Sequence, residues 1–197
     1  MTIATCDTLS PMSGCYQLCA DGIDGPTDRS YWVVEGRFAA GAYPGKAGRG
    51  DQERVPDVIT QLLGVGIDCF LNLTEDEPGG GDSHLTRYDD DVSGSAIIDR
   101  HPIVDVSIPT VDQMIGILDA TDAHLNAGRN VYAHCWGGIG RTGTVVGCWM
   151  IRHDLTSPSE AIHTLDEMRA GDRGAGHRRS PETSAQRDFI QTWELGQ

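Results

Sequence analysis

Cys135 and Arg141 are separated by five residues, three of which are glycines. A short apolar stretch precedes His134 and Cys135, and apolar residues at helical spacing follow over residues 142–152. A strand that turns through a glycine-rich loop into a helix points several backbone N–H groups, and the positive end of the helix dipole, at one spot. The pattern therefore predicts an anion-binding loop with a thiol at its centre, suited to a phosphoryl group.

Each polar side chain of this segment has a predicted role. Cys135 is the candidate nucleophile, because the N–H groups and a nearby guanidinium stabilise a thiolate. Arg141 can hold two phosphate oxygens with its planar fork. We expect the Thr142 hydroxyl to donate to the Cys135 sulfur and His134 to brace the loop from behind. The residues expected to surround the phosphate are Trp136, Gly137, Gly138, Ile139, Gly140 and Arg141. The alternative is an inert buried cysteine in an ordinary strand-to-helix turn.

Residues 134–143 read HCWGGIGRTG, which resembles the HCxxGxGRTG signature of the protein tyrosine phosphatase superfamily. Two further segments resemble small bacterial-type phosphatases and the kinase-associated phosphatase group: residues 39–45 resemble an AGxYPG segment, and residues 180–190 an SPETxxQRxF segment. The resemblance spans roughly residues 31–193. It implies a compact, dual-specificity-like cysteine phosphatase that works through a phosphocysteine intermediate, without metal or cofactor.

The resemblance also implies a general acid upstream of the cysteine. Residues 101–110, here called the acid loop, carry Asp105 between two valines, with Pro109 behind it. Asp105 is the predicted acid, and Asp99 and Asp112 are the alternatives. By the same resemblance Gln186 would help to place the hydrolytic water. The competing interpretation of its segment is an ordinary amphipathic terminal helix that follows a Ser180 or Thr183 cap.

Alternating strands and helices predict a three-layer α/β/α domain with a mostly parallel central sheet, the cysteine-phosphatase fold. We expect an irregular N-terminal arm over residues 1–28 and one catalytic domain over residues 29–197. The predicted elements are two short strands at 31–34 and 36–41, strands at 69–73 and 131–133, and helices at 54–63, 111–125, 142–152 and 157–169.

Residues 75–94 are polar, acidic and glycine-rich, and form a long connection for a compact domain. The resemblance suggests a substrate-shaping loop here, with Glu75, Asp76, Glu77 and Arg87 as recognition candidates. A plain solvated loop is the alternative. A basic run at residues 173–179 borders the pocket in one interpretation and is a solvated loop in the other.

The chain has 197 residues, with 15 basic and 29 acidic side chains and a formal net charge of −14. This charge argues against general binding to nucleic acid or to an anionic membrane. We found no signal peptide and no apolar run of membrane-spanning length, so we expect a cytoplasmic protein. Its six cysteines are not spaced like a disulfide framework, and Cys15 with Cys19 lacks a second pair for zinc.

The predicted function is hydrolysis of phosphomonoesters in phosphorylated proteins or peptides, with phosphotyrosine preferred over phosphoserine. The residues between Cys135 and Arg141 include no lysine or histidine to bind additional phosphates, so polyphosphorylated inositols are expected to be poor substrates. An inositol phosphate or phosphoinositide phosphatase with the same mechanism is the main alternative. A phosphate-binding pseudophosphatase, a rhodanese-like sulfurtransferase and an arsenate reductase are the other candidates. The sequence does not indicate an oligomeric state.

Overall fold

The computed structural model describes residues 16–19, 23–45 and 56–197. The described strands are β1 (Ser30–Val34), β2 (Phe38–Gly41), β3 (Cys69–Asn72), β4 (Ile97–Arg100) and β5 (Val131–His134). The described helices are α1 (Pro56–Gly64), α2 (Asp89–Val92), α3 (Val111–Asn126), α4 (Gly140–Arg152), α5 (Ala161–Arg169) and α6 (Ser184–Gln191).

The five strands form one sheet in the order β1-β2-β5-β3-β4. β1 and β2 pair antiparallel, whereas β2–β5, β5–β3 and β3–β4 pair parallel. β5 therefore lies at the centre of the sheet, and its carboxyl end lies beside those of β2 and β3. In an open α/β sheet this edge is where ligands bind.

Two hydrophobic cores cover the two faces of the sheet. Residues alternate between them along β2, β3 and β5: in β5, Val131 and Ala133 pack into the core that holds α3 to α6, and Tyr132 packs into the core that holds α1 and α2. This period of two is what a strand buried on both faces requires. The predicted three-layer architecture with a mostly parallel sheet is confirmed.

Most predicted elements are confirmed within a residue or two, including the end of α1. There Gly66 has a φ of +88°, and the Gly66 and Ile67 N–H groups donate to the Leu63 and Leu62 carbonyls, as in a Schellman motif. The predicted helix over 157–169 begins only at Ala161, because Ser157 closes a separate turn by accepting from the Glu160 N–H.

Two elements were not predicted. β4 is a half-exposed edge strand, and α2 is a four-residue helix inside the long acidic connection. Neither has the sustained apolar period by which an element is recognised in sequence.

Part of the expected N-terminal arm contacts the domain, although most of the arm, residues 1–15 and 20–22, lies outside the described residues. The Tyr16 ring packs 4.9 Å from Trp149, centroid to centroid, and the Cys19 N–H donates to the Val33 carbonyl. None of the helices in the described ranges has the length and apolar composition to cross a bilayer.

Candidate active site

Cys135 directly follows the central strand β5, and its side chain is almost fully buried. Residues 135–141, here called the phosphate loop, continue into α4, which begins at Gly140. Two residues of the loop are thus already helical, and the loop lies over the N-terminus of a 13-residue helix. Unpaired N–H groups and the helix dipole make such a position favourable for an anion.

Hydrogen bonds from outside the loop fix the direction of its peptide groups. The Trp136 carbonyl accepts from the Tyr43 N–H, the Gly137 carbonyl from Arg29, and the Ile139 carbonyl from the Ser180 hydroxyl. In a trans peptide the N–H points opposite to the carbonyl. Three carbonyls turned outward therefore leave the N–H groups of Gly137, Gly138 and Gly140 turned toward the inside of the loop.

Geometry requires a glycine at position 138. Gly138 has a φ of +69°, and a Cβ there would lie 2.4 Å from the Gly41 carbonyl carbon. At position 140 a Cβ would lie 2.7 Å from the Glu182 carboxylate and 3.0 Å from the Gln186 amide, so these two side chains pack directly on the Gly140 backbone.

His134 directly precedes the phosphate loop and lies inside the protein. Its ring is fully buried among Tyr43, Tyr88 and Tyr132, and its Nε2 lies 2.6 Å from the Tyr88 hydroxyl. Burial lowers the pKa of His134 to about 3, so the imidazole is neutral at ordinary pH. That His134 braces the loop from behind remains a prediction.

The Arg141 guanidinium is held by the long acidic connection and by the acid loop. One nitrogen donates to Asp82 Oδ2 at 2.6 Å and to the Ile103 carbonyl at 3.1 Å, and the other lies 2.9 Å from Asp105 Oδ1. Burial lowers the pKa of Arg141, but the charges of Cys135, Asp82 and Asp105 outweigh it and raise this pKa above its usual value. Arg141 is thus a fixed cation beside the thiol.

Sequence reasoning missed Asp82. Its carboxylate is buried, accepts from the Glu75 N–H as well as from Arg141, and has a lowered pKa because these hydrogen bonds outweigh the effect of burial. A carboxylate that receives a backbone N–H and a guanidinium favours its charged form. Asp82 orients Arg141, and nothing in the linear sequence distinguishes it from the other acidic residues around it.

The acid loop lies across the pocket from the phosphate loop. The Asp105 side chain is about half exposed and points to Arg141, whereas the alternatives lie elsewhere. Asp99 is held by His101 and His124, and Asp112 is in the first turn of α3. Of the three candidate acids, only Asp105 lines the pocket that contains Cys135.

Two predicted contacts take a different form in the structure. The Thr142 hydroxyl is buried without a hydrogen-bond partner, so it does not donate to the Cys135 sulfur here. Gln186 is fully buried next to the phosphate loop, and its amide is bonded to protein backbone on both sides.

The long acidic connection is an ordered network. Asp76 is buried and accepts from Tyr43, Asn72 and Arg100, so it cannot contact a substrate. Glu77 and Arg87 pair with each other on the surface. The segment also carries Asp82, which pairs with Arg141, a contact that neither predicted interpretation includes.

The pocket above Cys135 has a volume of about 290 Å³. It is lined by Asp105, Val106, Cys135, Trp136, Gly137, Ile139, Gly140, Arg178 and Glu182. Arg178 comes from the basic run of the sequence, whereas Arg173 of the same run pairs with Asp24 and Asp28. Glu182 was not predicted, although it belongs to the segment that carries Gln186.

Among residues 16–19, 23–45 and 56–197, no three His, Cys, Asp or Glu side chains are arranged to hold a metal ion. In the same ranges Cys19, Cys69, Cys135 and Cys148 form no disulfide, and Cys15 lies outside the described residues. The expectation of metal-free chemistry remains a prediction.

Two curated proteins resemble part of this chain. A protein from Methanocaldococcus jannaschii, MJECL20, of uncharacterized function, is 43% identical over 61 residues, which cover 31% of this chain and 42% of that protein. Cyclin-dependent kinase inhibitor 3 from Sus scrofa is 32% identical over 74 residues, or 37% of this chain and 35% of that protein. The chain thus spans less than half the length of the curated relatives it matches.

The fold is shared with solved phosphatase structures. The crystal structure of Tk-PTP in its active form has a TM-score of 0.60 at 23% identity, and covers 81% of this chain and 92% of that one. At this identity the likeness concerns the fold. A family model described as "Polymorphic toxin system, DSP-PTPase phosphatase" matches residues 45–155, more than half of the chain, including Asp105, Cys135 and Arg141. The chain therefore belongs to this family of dual-specificity-type cysteine phosphatases.

Proposed function

We propose that this protein hydrolyses phosphomonoesters in phosphorylated proteins or peptides, through a phosphocysteine intermediate and without a metal or cofactor. The observation that carries the proposal is that Cys135 and Asp105 line one pocket over the N-terminus of α4, while the Arg141 guanidinium lies 2.9 Å from Asp105. A nucleophile, a fixed cation and an acid that lie close together are the parts that phosphoryl transfer to a thiolate needs.

In the first step the Cys135 thiolate attacks phosphorus in line. The phosphorus–sulfur bond forms, the ester phosphorus–oxygen bond breaks, and Asp105 gives its proton to the departing oxygen. Arg141 and the inward N–H groups of the phosphate loop bind the three equatorial oxygens, whose charge they stabilise. Arg141 and Asp105 lie 2.9 Å apart, so a substrate phosphate that binds Arg141 has to enter between them.

In the second step water attacks the phosphocysteine. The Asp105 carboxylate takes a proton from the water, the phosphorus–sulfur bond breaks, and the electron pair returns to Cys135 as thiolate. His134 is neutral because it is buried, so it contributes no positive charge and acts by holding the loop. The buried Thr142 hydroxyl has no hydrogen-bond partner, and we propose that it turns to the Cys135 sulfur only when the thiolate departs.

The walls of the pocket support the proposed substrate class. The described lining has one cation, Arg178, and two anions, Asp105 and Glu182, and Glu182 lies next to Gly140. A second phosphate on a substrate would need its own cationic partner when it loses water. Trp136 and Val106 provide an aromatic and an aliphatic wall. These features favour a single phosphate on a peptide, and phosphotyrosine over phosphoserine, rather than a polyphosphorylated inositol.

We further propose that residues 29–197 form the catalytic domain and that the protein works in the cytoplasm. A reducing compartment is what an active thiolate requires.

A substrate panel tests the proposal. The full chain is assayed with p-nitrophenyl phosphate, phosphotyrosine and phosphoserine peptides, and inositol polyphosphates, beside Cys135→Ser as the matched inactive control. We expect turnover by the wild type, highest kcat/KM on phosphotyrosine peptides, and no turnover by Cys135→Ser, which should still bind vanadate. An inositol phosphate with a tenfold higher kcat/KM than every peptide would overturn the substrate class. Binding of phosphate without any turnover would identify a pseudophosphatase.

A further inference from the structure

Gln186 is the third residue of α6 and is completely buried. Together with Thr183 it forms a capping box at the start of this helix: the Thr183 hydroxyl accepts from the Gln186 N–H, and the Gln186 side chain accepts from the Thr183 N–H at 3.2 Å. One half of the side-chain amide is therefore committed to the helix.

The other half of the amide reaches the acid loop. Its Nε2 donates to the Ser107 carbonyl at 3.0 Å, across a sequence separation of 79 residues. The orientation of the amide is not ambiguous, because the Thr183 N–H can only donate and the Ser107 carbonyl can only accept. The Gln186 amide thus connects the start of α6 to the loop that carries Asp105.

Gln186 also lies against the phosphate loop. A Cβ on Gly140 would be 3.0 Å from both polar atoms of the amide, so the amide packs directly on the backbone at the start of α4. Gly147 allows the approach of the two helices, since a Cβ there would lie 2.6 Å from Ile190. Gln186 therefore contacts both the acid loop and the phosphate loop, which have to lie close together during the reaction.

Two further contacts join the acid loop to this region, and one of them involves the reacting groups. Arg141 donates to the Ile103 carbonyl near the start of the loop, and it also pairs with Asp105. Once Arg141 binds a phosphate and Asp105 turns to the leaving oxygen, that pair is broken. The hydrogen bond from Gln186 to Ser107 uses neither group, so it can hold the loop while the chemistry occurs.

We propose that Gln186 is a positioning residue that keeps the acid loop closed over the phosphate loop, so that Asp105 can protonate the leaving group. The proposal rests on the proposed function and assigns Gln186 to the first step of the reaction. The family resemblance instead predicts placement of water, which belongs to the second step.

Gln186→Glu separates the two roles. Glutamate has the same length and still accepts from the Thr183 N–H in a capping box, but it cannot donate to the Ser107 carbonyl when ionised. Gln186→Met, also of similar length, removes the donor without adding charge. Thr183→Ala is the control that weakens the cap and leaves the bond to Ser107 in place. Thermal unfolding confirms that each variant is folded.

The readout is a series of aryl phosphates whose leaving groups differ in basicity, combined with rapid-quench measurement of the phosphocysteine. We expect both Gln186 variants to lose about tenfold in the rate of phosphocysteine formation on the most basic leaving group, roughly the worth of one hydrogen bond. The loss should shrink for p-nitrophenyl phosphate, and Thr183→Ala should keep the leaving-group dependence of the wild type.

The opposite pattern overturns the proposal. If the variants lose the same factor on every leaving group and accumulate phosphocysteine, Gln186 acts on the water step. If they match the wild type on every substrate, the contact with Ser107 has no role in catalysis. A wild type that forms no phosphocysteine at all would overturn the proposed function and this inference with it, whereas the first two results leave the function intact.

Discussion

The phosphate loop and the acid loop face each other across one pocket, yet the protein supports them differently. Cys135, Ile139 and Arg141 are buried at 2% exposure, whereas Val104 and Val106 on either side of Asp105 are exposed at 59% and 56%. The phosphate loop joins the central strand to a buried helix and is held by hydrogen bonds to three of its carbonyls. The acid loop is held at a few points, among them Ile103 and Ser107.

The difference in burial matches the proposed roles of the two loops, which are charge binding and proton donation. Binding of charge in a transition state needs dipoles that are oriented beforehand, so the phosphate loop is built into the core. A proton donor has to meet leaving groups of different shape, so the acid loop lies on the surface with exposed aliphatic side chains. Substitutions in the first loop should therefore have larger effects, and substitutions in the second loop should depend more on the substrate.

The largest expected effect is that of Arg141→Lys. A lysine provides one point charge in place of a fork that is already oriented by Asp82 and the Ile103 carbonyl. We expect kcat/KM for p-nitrophenyl phosphate to fall about a thousandfold, in line with loss of a preorganised donor. Arg187→Lys is the matched control, since Arg187 donates to the Pro181 carbonyl and does not line the pocket. A loss of less than tenfold would show that the guanidinium is not required.

Asp105→Asn tests the proposed proton donation by the acid loop. We expect kcat on a phosphotyrosine peptide to fall roughly a hundredfold, the usual contribution of a general acid. The loss should be smaller on p-nitrophenyl phosphate, whose leaving group needs less protonation. Asp99→Asn and Asp112→Asn serve as controls, because neither residue lines the pocket. If one of these two controls loses activity and Asp105→Asn does not, the acid has been misassigned.

The burial of His134 behind the phosphate loop should lower the free energy of unfolding at acidic pH. Because burial lowers the pKa of His134 to about 3, the folded protein excludes a proton that the unfolded chain binds below its ordinary pKa of 6.5. His134 should therefore make the free energy of unfolding fall by about 1.4 kcal/mol for each pH unit from about 6.5 downward. Urea unfolding of His134→Gln between pH 6.5 and 4.5 should show a correspondingly flatter dependence.

Tyr88→Phe is the control for this comparison. It removes the hydroxyl that lies 2.6 Å from His134 Nε2 but keeps the imidazole buried. We expect lower stability at every pH and an unchanged slope. Equal slopes in the wild type and His134→Gln would contradict the assignment of a buried neutral imidazole.

The smallest expected effect concerns backbone strain next to Asp105. Val106 has a φ of +61°, a conformation that a β-branched residue adopts at a cost of about 1–2 kcal/mol. Val106→Gly removes this strain but adds freedom to the unfolded chain, so we expect a net gain of up to about 1 kcal/mol. Val104→Gly, equally exposed and without a positive φ, should be destabilising. Calorimetry that ranks the two variants alike would argue against strain at Val106.

The reliability of sequence reasoning differed between the two loops for a physical reason. Strand, glycine turn and helix are contiguous from residue 131 to 152, so the hydrogen bonds and the dipole that form the phosphate loop arise from neighbouring residues. The same holds for the capping box of Thr183 and Gln186 and for the Schellman motif at Gly66. Such local features can be read from residue types and spacing.

Contacts between distant segments could not be predicted from residue types and spacing. Any of 29 acidic residues might have paired with Arg141, and the selection of Asp82, 59 residues away, depends on how the acidic connection folds around Asp76 and α2. The edge strand β4 has little burial of its own and exists because β3 offers it a partner.

The sequence alone predicts a thiol and a guanidinium in a phosphate-binding loop within an α/β domain, because residues close in the chain dictate that geometry. The tertiary structure decided that Asp82 orients Arg141, that Glu182 faces the pocket, and that Gln186 bonds to the acid loop. These pairings join segments 40 to 80 residues apart, where packing of the two cores, and not local propensity, selects the partner.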